Sequence, residues 1–139
     1  MINTALLYPV LALVGWTFIM WVWLYATRLP AIQRAEIDFD ELAKTGAPLV
    51  LPAEVARVAD NYNHLHEQPT IFYALVLCAA MFNLADPLVT GLAWGYVAVR
   101  IVHSLIQAIS NPILVRFLVF SLASLVLFAL FLRVCSLVF

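Results

Sequence analysis

Four long apolar runs dominate the chain, and one polar stretch separates the first from the others. The runs cover residues 4–25, 64–84, 87–108 and 112–134. Each is close to the ~20 apolar residues that a helix needs to cross a bilayer. Hydrocarbon offers no partner to a peptide group, so a run of this length predicts an α-helix. Polar residues just ahead of the second run, and Pro52 placed to suit a first helical turn, predict that this helix starts early. The expected helices are therefore 4–25, 53–84, 87–108 and 112–134, with a loop over 27–52. The links "ADPL" and "ISNP" carry Pro and Asn and predict tight hairpins. These elements predict an all-α integral membrane protein, a four-transmembrane-helix antiparallel bundle forming one domain over residues 1–139.

Composition strengthens that picture. The chain is 65% hydrophobic and 11% charged, where a soluble domain is nearer half apolar and about a quarter charged. A net charge of -1 gives no basic surface for nucleic acid. The first run lacks a basic leader and is too long for a signal-peptide core, so it is expected to be retained. Cys78 and Cys135 lie in apolar runs and are expected to pack as small hydrophobes. Arg28, Arg34, Lys44 and Arg57 lie in or beside the long loop, and Arg116 lies at the last turn. The positive-inside rule then places that loop in the cytoplasm and both termini on the other side. Arg133 argues weakly against this orientation.

Polar residues inside the runs carry the candidate chemistry. On a helix turning about 100° per residue, Arg57, Asn61, His64 and Gln68 form one stripe. Asp60, Asn63, Glu67 and Thr70 form a second stripe beside it. The third helix aligns Tyr96, Arg100, His103 and Gln107 on one face. An arginine within a span is costly and wants a partner, for which Glu67 and Asp60 are the candidates. The start of helix two and the end of helix three meet at one membrane face in an antiparallel pair. Arg57, Asn61, Asn63, His64, Glu67, Arg100, His103 and Arg116 are therefore expected around one cavity near the cytoplasmic boundary. Single residues of this set also suit structural glue between helices. A metal site from His64, His66, Glu67 and His103 is not expected, because His64 and His66 diverge by about 160° on a helix.

Two stretches, "RVADNYNHLHEQP" and "YVAVRIVHSLIQAISNPILVRF", resemble segments of the MAPEG superfamily, the membrane-associated proteins in eicosanoid and glutathione metabolism. The variant is similar to an uncharacterised bacterial branch, which implies a bacterial inner membrane. The resemblance implies a homotrimer with helix two near the axis and sites between subunits. It implies glutathione as cosubstrate and a hydrophobic small molecule as the other substrate, entering from membrane lipid. Arg116 matches the arginine that stabilises the thiolate, the catalytic role. Arg28, Arg100 and His103 match binding positions. The family's helix-two Asn and Glu stand three residues apart. Asn63 and Glu67 stand four apart, and Asn61 with His64 keeps the spacing without the acid. Gln107 and Phe120 replace tyrosines of the family pattern. The implied activity is a glutathione-dependent transferase or peroxidase. The alternative is a non-catalytic lipid- or small-molecule-binding protein of the same fold.

Overall fold

The computed structural model describes residues 4–84 and 86–139. All regular structure among the described residues is helical. A short 3-10 turn, Thr4–Leu6, leads into α1, Leu7–Arg34. Next come α2, Phe39–Thr45, and α3, Ala53–His64. After a break, α4 runs Gln68–Met81, followed by α5, Pro87–Ile109, and α6, Ile113–Val138. Three helical segments, Thr4–Arg34, Pro87–Ile109 and Ile113–Val138, are long and apolar enough to cross a membrane.

The long loop is shorter than its sequence suggests. Helix α1 continues through Pro30 to Arg34, so Arg28 lies on a helix. At 28 residues and about 1.5 Å per residue, α1 is about 42 Å long and exceeds the hydrocarbon thickness. The remaining loop holds α2. Asp38 starts it by accepting hydrogen bonds from the Asp40 and Glu41 amides at 3.0 and 3.1 Å. Gly46, left-handed at φ 66°, ends it, a conformation that costs a residue without Cβ little.

The expected continuous second helix is instead two, α3 and α4, broken at Leu65–Glu67. Pro69 explains the break. In a continuous helix its ring would press on the Leu65 carbonyl, and it has no amide hydrogen to offer. Placed at the start of α4 instead, it causes no conflict. Neither piece has the length of a span by itself.

Helices α5 and α6 form a hairpin closed at both ends. At one end Asn111 adopts a left-handed φ of 52°, which asparagine tolerates better than most residues. Its amide bonds the Ile106 carbonyl at 2.7 Å. At the other end Asp86 accepts from the Val89 amide at 2.7 Å, capping α5. Its second oxygen takes Arg133 Nε at 2.9 Å, and Arg133 Nη2 as well. Arg133 thus ties the end of α6 to the start of α5, so its position follows from packing.

The Asp86 carboxyl is held below the usual carboxylate range, first by the Val89 amide and then by Arg133. A depressed folded pKa gives stability that is present above the unfolded value, about pH 4, and lost as pH falls through the folded one. Thermal unfolding in detergent should therefore show a loss of stability in acid for the natural protein. Asp86→Asn should lower stability at neutral pH and flatten that acid limb. An unchanged acid limb in the variant would assign it to other carboxylates.

Apolar side chains fill the interior and also coat the exterior. The main core joins Leu6, Val10 and Leu13 of the N-terminal segment to Phe72 and Val76 of α4, Tyr96 and Val97 of α5, and Leu127 and Leu130 of α6. Ala79, Ala80, Ala93 and Ala123 are fully or almost fully buried and let the helices approach closely. A second cluster, Met20, Val58, Leu65 and Ala108, packs beneath the break. Outside, Phe18, Val22, Phe117, Leu118, Leu125, Phe128 and Leu132 are exposed. A large exposed apolar surface of this kind suits lipid better than water.

Candidate functional site

The break between α3 and α4 builds the site. It leaves the His64 carbonyl without a full helical partner, since the Gln68 amide no longer reaches it. The Glu67 amide makes only a long 3.4 Å contact. Arg100 of α5 fills the gap, its Nη2 donating to that carbonyl at 3.1 Å. Gln68 then ties three helices together. Its Oε1 accepts from Tyr96 Oη at 3.2 Å, and its Nε2 donates to Ser124 Oγ at 2.8 Å. Tyr96 stacks on Phe72 with ring centroids 4.6 Å apart. Polar side chains that could have been lipid-exposed are thus spent on fixing the break.

Above this scaffold lies a cleft of about 490 Å³. Asp60 and Asn63 of α3, with His64 and Glu67 at the break, form one wall. His103 and Gln107 of α5 form its floor, and Ile113, Arg116, Phe117 and Phe120 of α6 form the far wall. Arg116 donates from Nη1 to Asn111 Oδ1 at 2.7 Å, so the hairpin turn holds the cation in place. His64 Nδ1 lies 2.7 Å from Glu67 Oε2. The His64 ring stacks on Phe120, centroids 5.3 Å apart at 29°, and lies 5.3 Å from the His103 ring.

Several buried polar atoms lack hydrogen-bond partners. They include both ring nitrogens of His103, Oε1 of Gln107, Oδ1 of Asn61, and Nε and Nη1 of Arg100. His103 and Gln107 are 1% and 5% exposed and border the cleft, so their free atoms are available to a bound polar molecule.

Of the nine expected site residues, Asn63, His64, Glu67, His103 and Arg116 border this cleft. Arg28, Arg57, Asn61 and Arg100 are not among its lining residues. Asn61 is buried and turned to α5, its Nδ2 donating to Ser104 Oγ at 2.6 Å. Arg57 and Arg28 are half-buried, and Arg57 Nε lacks a partner. The expected pairing of Arg100 with Glu67 or Asp60 is corrected: Glu67 pairs with His64, Asp60 is exposed, and Arg100 caps a carbonyl. The broken helix causes this, because it turns Glu67 back toward His64. Ile113 and Phe117 were missed. An apolar residue lining a cleft reads in sequence like one facing lipid.

Among the described residues no three His, Cys, Asp or Glu side chains come close enough to hold a metal ion. Cleft, helices and apolar exterior define an integral membrane protein with a polar, cation-bearing site between helices. The MAPEG family profile matches residues 6–136, and the chain belongs to that family. No curated protein and no solved structure matches it.

Proposed function

We propose that the cleft binds the thiol of glutathione at Arg116 and directs it at a hydrophobic electrophile or lipid peroxide. The observation that carries this is the setting of Arg116. One guanidinium nitrogen is engaged by Asn111, and Arg116 shares its wall of the cleft with Ile113, Phe117 and Phe120. A cation fixed against an apolar wall favours an anion beside it far more than one in water does. A thiolate is the reactive form of the thiol, so stabilising it there supplies the nucleophile. In conjugation the sulfur pair forms the C–S bond and the leaving group departs from the electrophile. The unpartnered His103 and Gln107 atoms fit the peptide part, and Asp60 can accept its ammonium. The carboxylates need further cations, which a neighbouring copy in a trimer would bring through Arg28 or Arg57. In this reading α4 completes a fourth crossing, and both termini lie on the non-cytoplasmic side of a bacterial inner membrane.

A second reading is favoured by Phe120. It fills the position of a family tyrosine, offers no hydroxyl and stacks on His64. A cleft with one arginine and two acids suits a neutral lipid or other small molecule held without turnover. Calorimetry with glutathione at millimolar concentration separates the two. Saturable heat that Arg116→Ala diminishes supports the thiol site. No heat with glutathione, together with lipid retained through purification, supports the binding protein.

A further inference from the structure

Arg116 lowers the thiol pKa by holding the thiolate but does not take the proton, because a guanidinium accepts none; the proton passes either to water or to a base in the cleft. We infer that His64, oriented by Glu67, is the general base that takes the thiol proton. The inference rests on the thiol-binding reading of the cleft. A carboxylate only accepts hydrogen bonds, so the 2.7 Å contact between Nδ1 and Glu67 Oε2 places the ring proton on Nδ1. The lone pair is then on Nε2, which has no hydrogen-bond partner among the described residues. Phe120 holds the ring plane by stacking, and the main chain of His64 is fixed by Arg100. A base oriented by a third group, lining the same cleft as an anion-stabilising cation, supplies two of the parts that nucleophile activation uses.

The other titratable or charged groups facing His64 are Asp60 on α3, Arg100 and His103 on α5 and Arg116 on α6. Arg100 is a cation already and bonds the His64 carbonyl, so it accepts no proton. Asp60 is exposed, and no partner orients it. Both His103 nitrogens are unpartnered, so no acid fixes its tautomer or balances an imidazolium. Only His64 has a carboxylate to do both. In the step, the S–H bond breaks and an Nε2–H bond forms while sulfur keeps the electron pair. Glu67 faces the resulting imidazolium and Arg116 the thiolate. After C–S bond formation Nε2 returns the proton to the departing group.

The test counts protons. Glutathione is titrated near neutral pH in buffers of different ionisation enthalpy, and the thiolate absorbance of the bound complex is read in parallel. If His64 keeps the proton, the wild-type protein releases close to none per thiolate formed, and His64→Gln releases about one. Glu67→Gln should move toward the same value, and gives the reading if His64→Gln does not fold. His66→Gln should match wild type, because the His66 ring packs on Tyr62 and is not part of the cleft lining. Wild-type release of about one proton per thiolate overturns the base role while leaving the thiol site intact. Unchanged stoichiometry in both the His64 and Glu67 variants does the same. Absence of bound thiolate in the wild type overturns the base and the thiol site together.

Discussion

Arg116→Ala is expected to lower kcat/KM for thiol transfer by about 10²–10³-fold, the scale of about 3–4 kcal/mol for losing one charge-stabilising donor. The loss should fall mainly on kcat. In the proposed thiol site the partner of Arg116 is the sulfur, whose charge exists only in the reactive form. The thiolate absorbance should vanish, while binding of an S-methylated analogue, which has no thiolate, should change little. Arg116→Lys should recover part of the rate, because it keeps the charge and loses the planar fork that Asn111 holds. Asn111→Gly tests that holding separately. Glycine keeps the left-handed turn at φ 52° but removes Oδ1, so a loss of about tenfold is expected from one bond to a charged group. A thiolate band persisting in Arg116→Ala would remove Arg116 from the chemistry.

Arg100→Ala is expected to destabilise the protein by about 3 kcal/mol, and Arg100→Met by about 1 kcal/mol or less. Arg100 is fully buried and among the largest side chains in the interior, so alanine leaves a cavity. The guanidinium makes one hydrogen bond, to the His64 carbonyl, and two of its nitrogens make none. Methionine fills the volume and removes a poorly compensated charge, which offsets the lost bond. An acid buried against Arg100 would give another pattern, since methionine would then leave that acid unpaired. Glu67, at 65% side-chain exposure, is not such an acid. Unfolding in mixed detergent reads both variants. Equal losses for alanine and methionine would show that the charge has an acidic partner in the assembled protein.

The sequence by itself determined the three long apolar helices and which polar residues of α5 share a face. Runs of about 20 apolar residues cannot satisfy their peptide groups in lipid except as helices, so α1, α5 and α6 were legible. Asp86 before Pro87 and Asn111 before Pro112 marked the hairpin ends for the same local reasons. The spacing of Arg100, His103 and Gln107 put them on one face of α5, because helix periodicity needs no tertiary information. Only the tertiary structure decided what those side chains meet. Pro69 stood in the sequence, but whether a proline kinks, starts or ends a membrane helix depends on who satisfies the freed carbonyl. Here that group is Arg100, which lies 36 residues from His64. The break then turned Glu67 onto His64 and away from Arg100, while Arg28 on α1 and Arg57 and Asn61 on α3 lie off the cleft. Phe117 and Ile113 became a wall only because α6 packs beside α5. Periodicity fixes which residues share a face, whereas the partner of a face is set by contacts between helices distant in the chain.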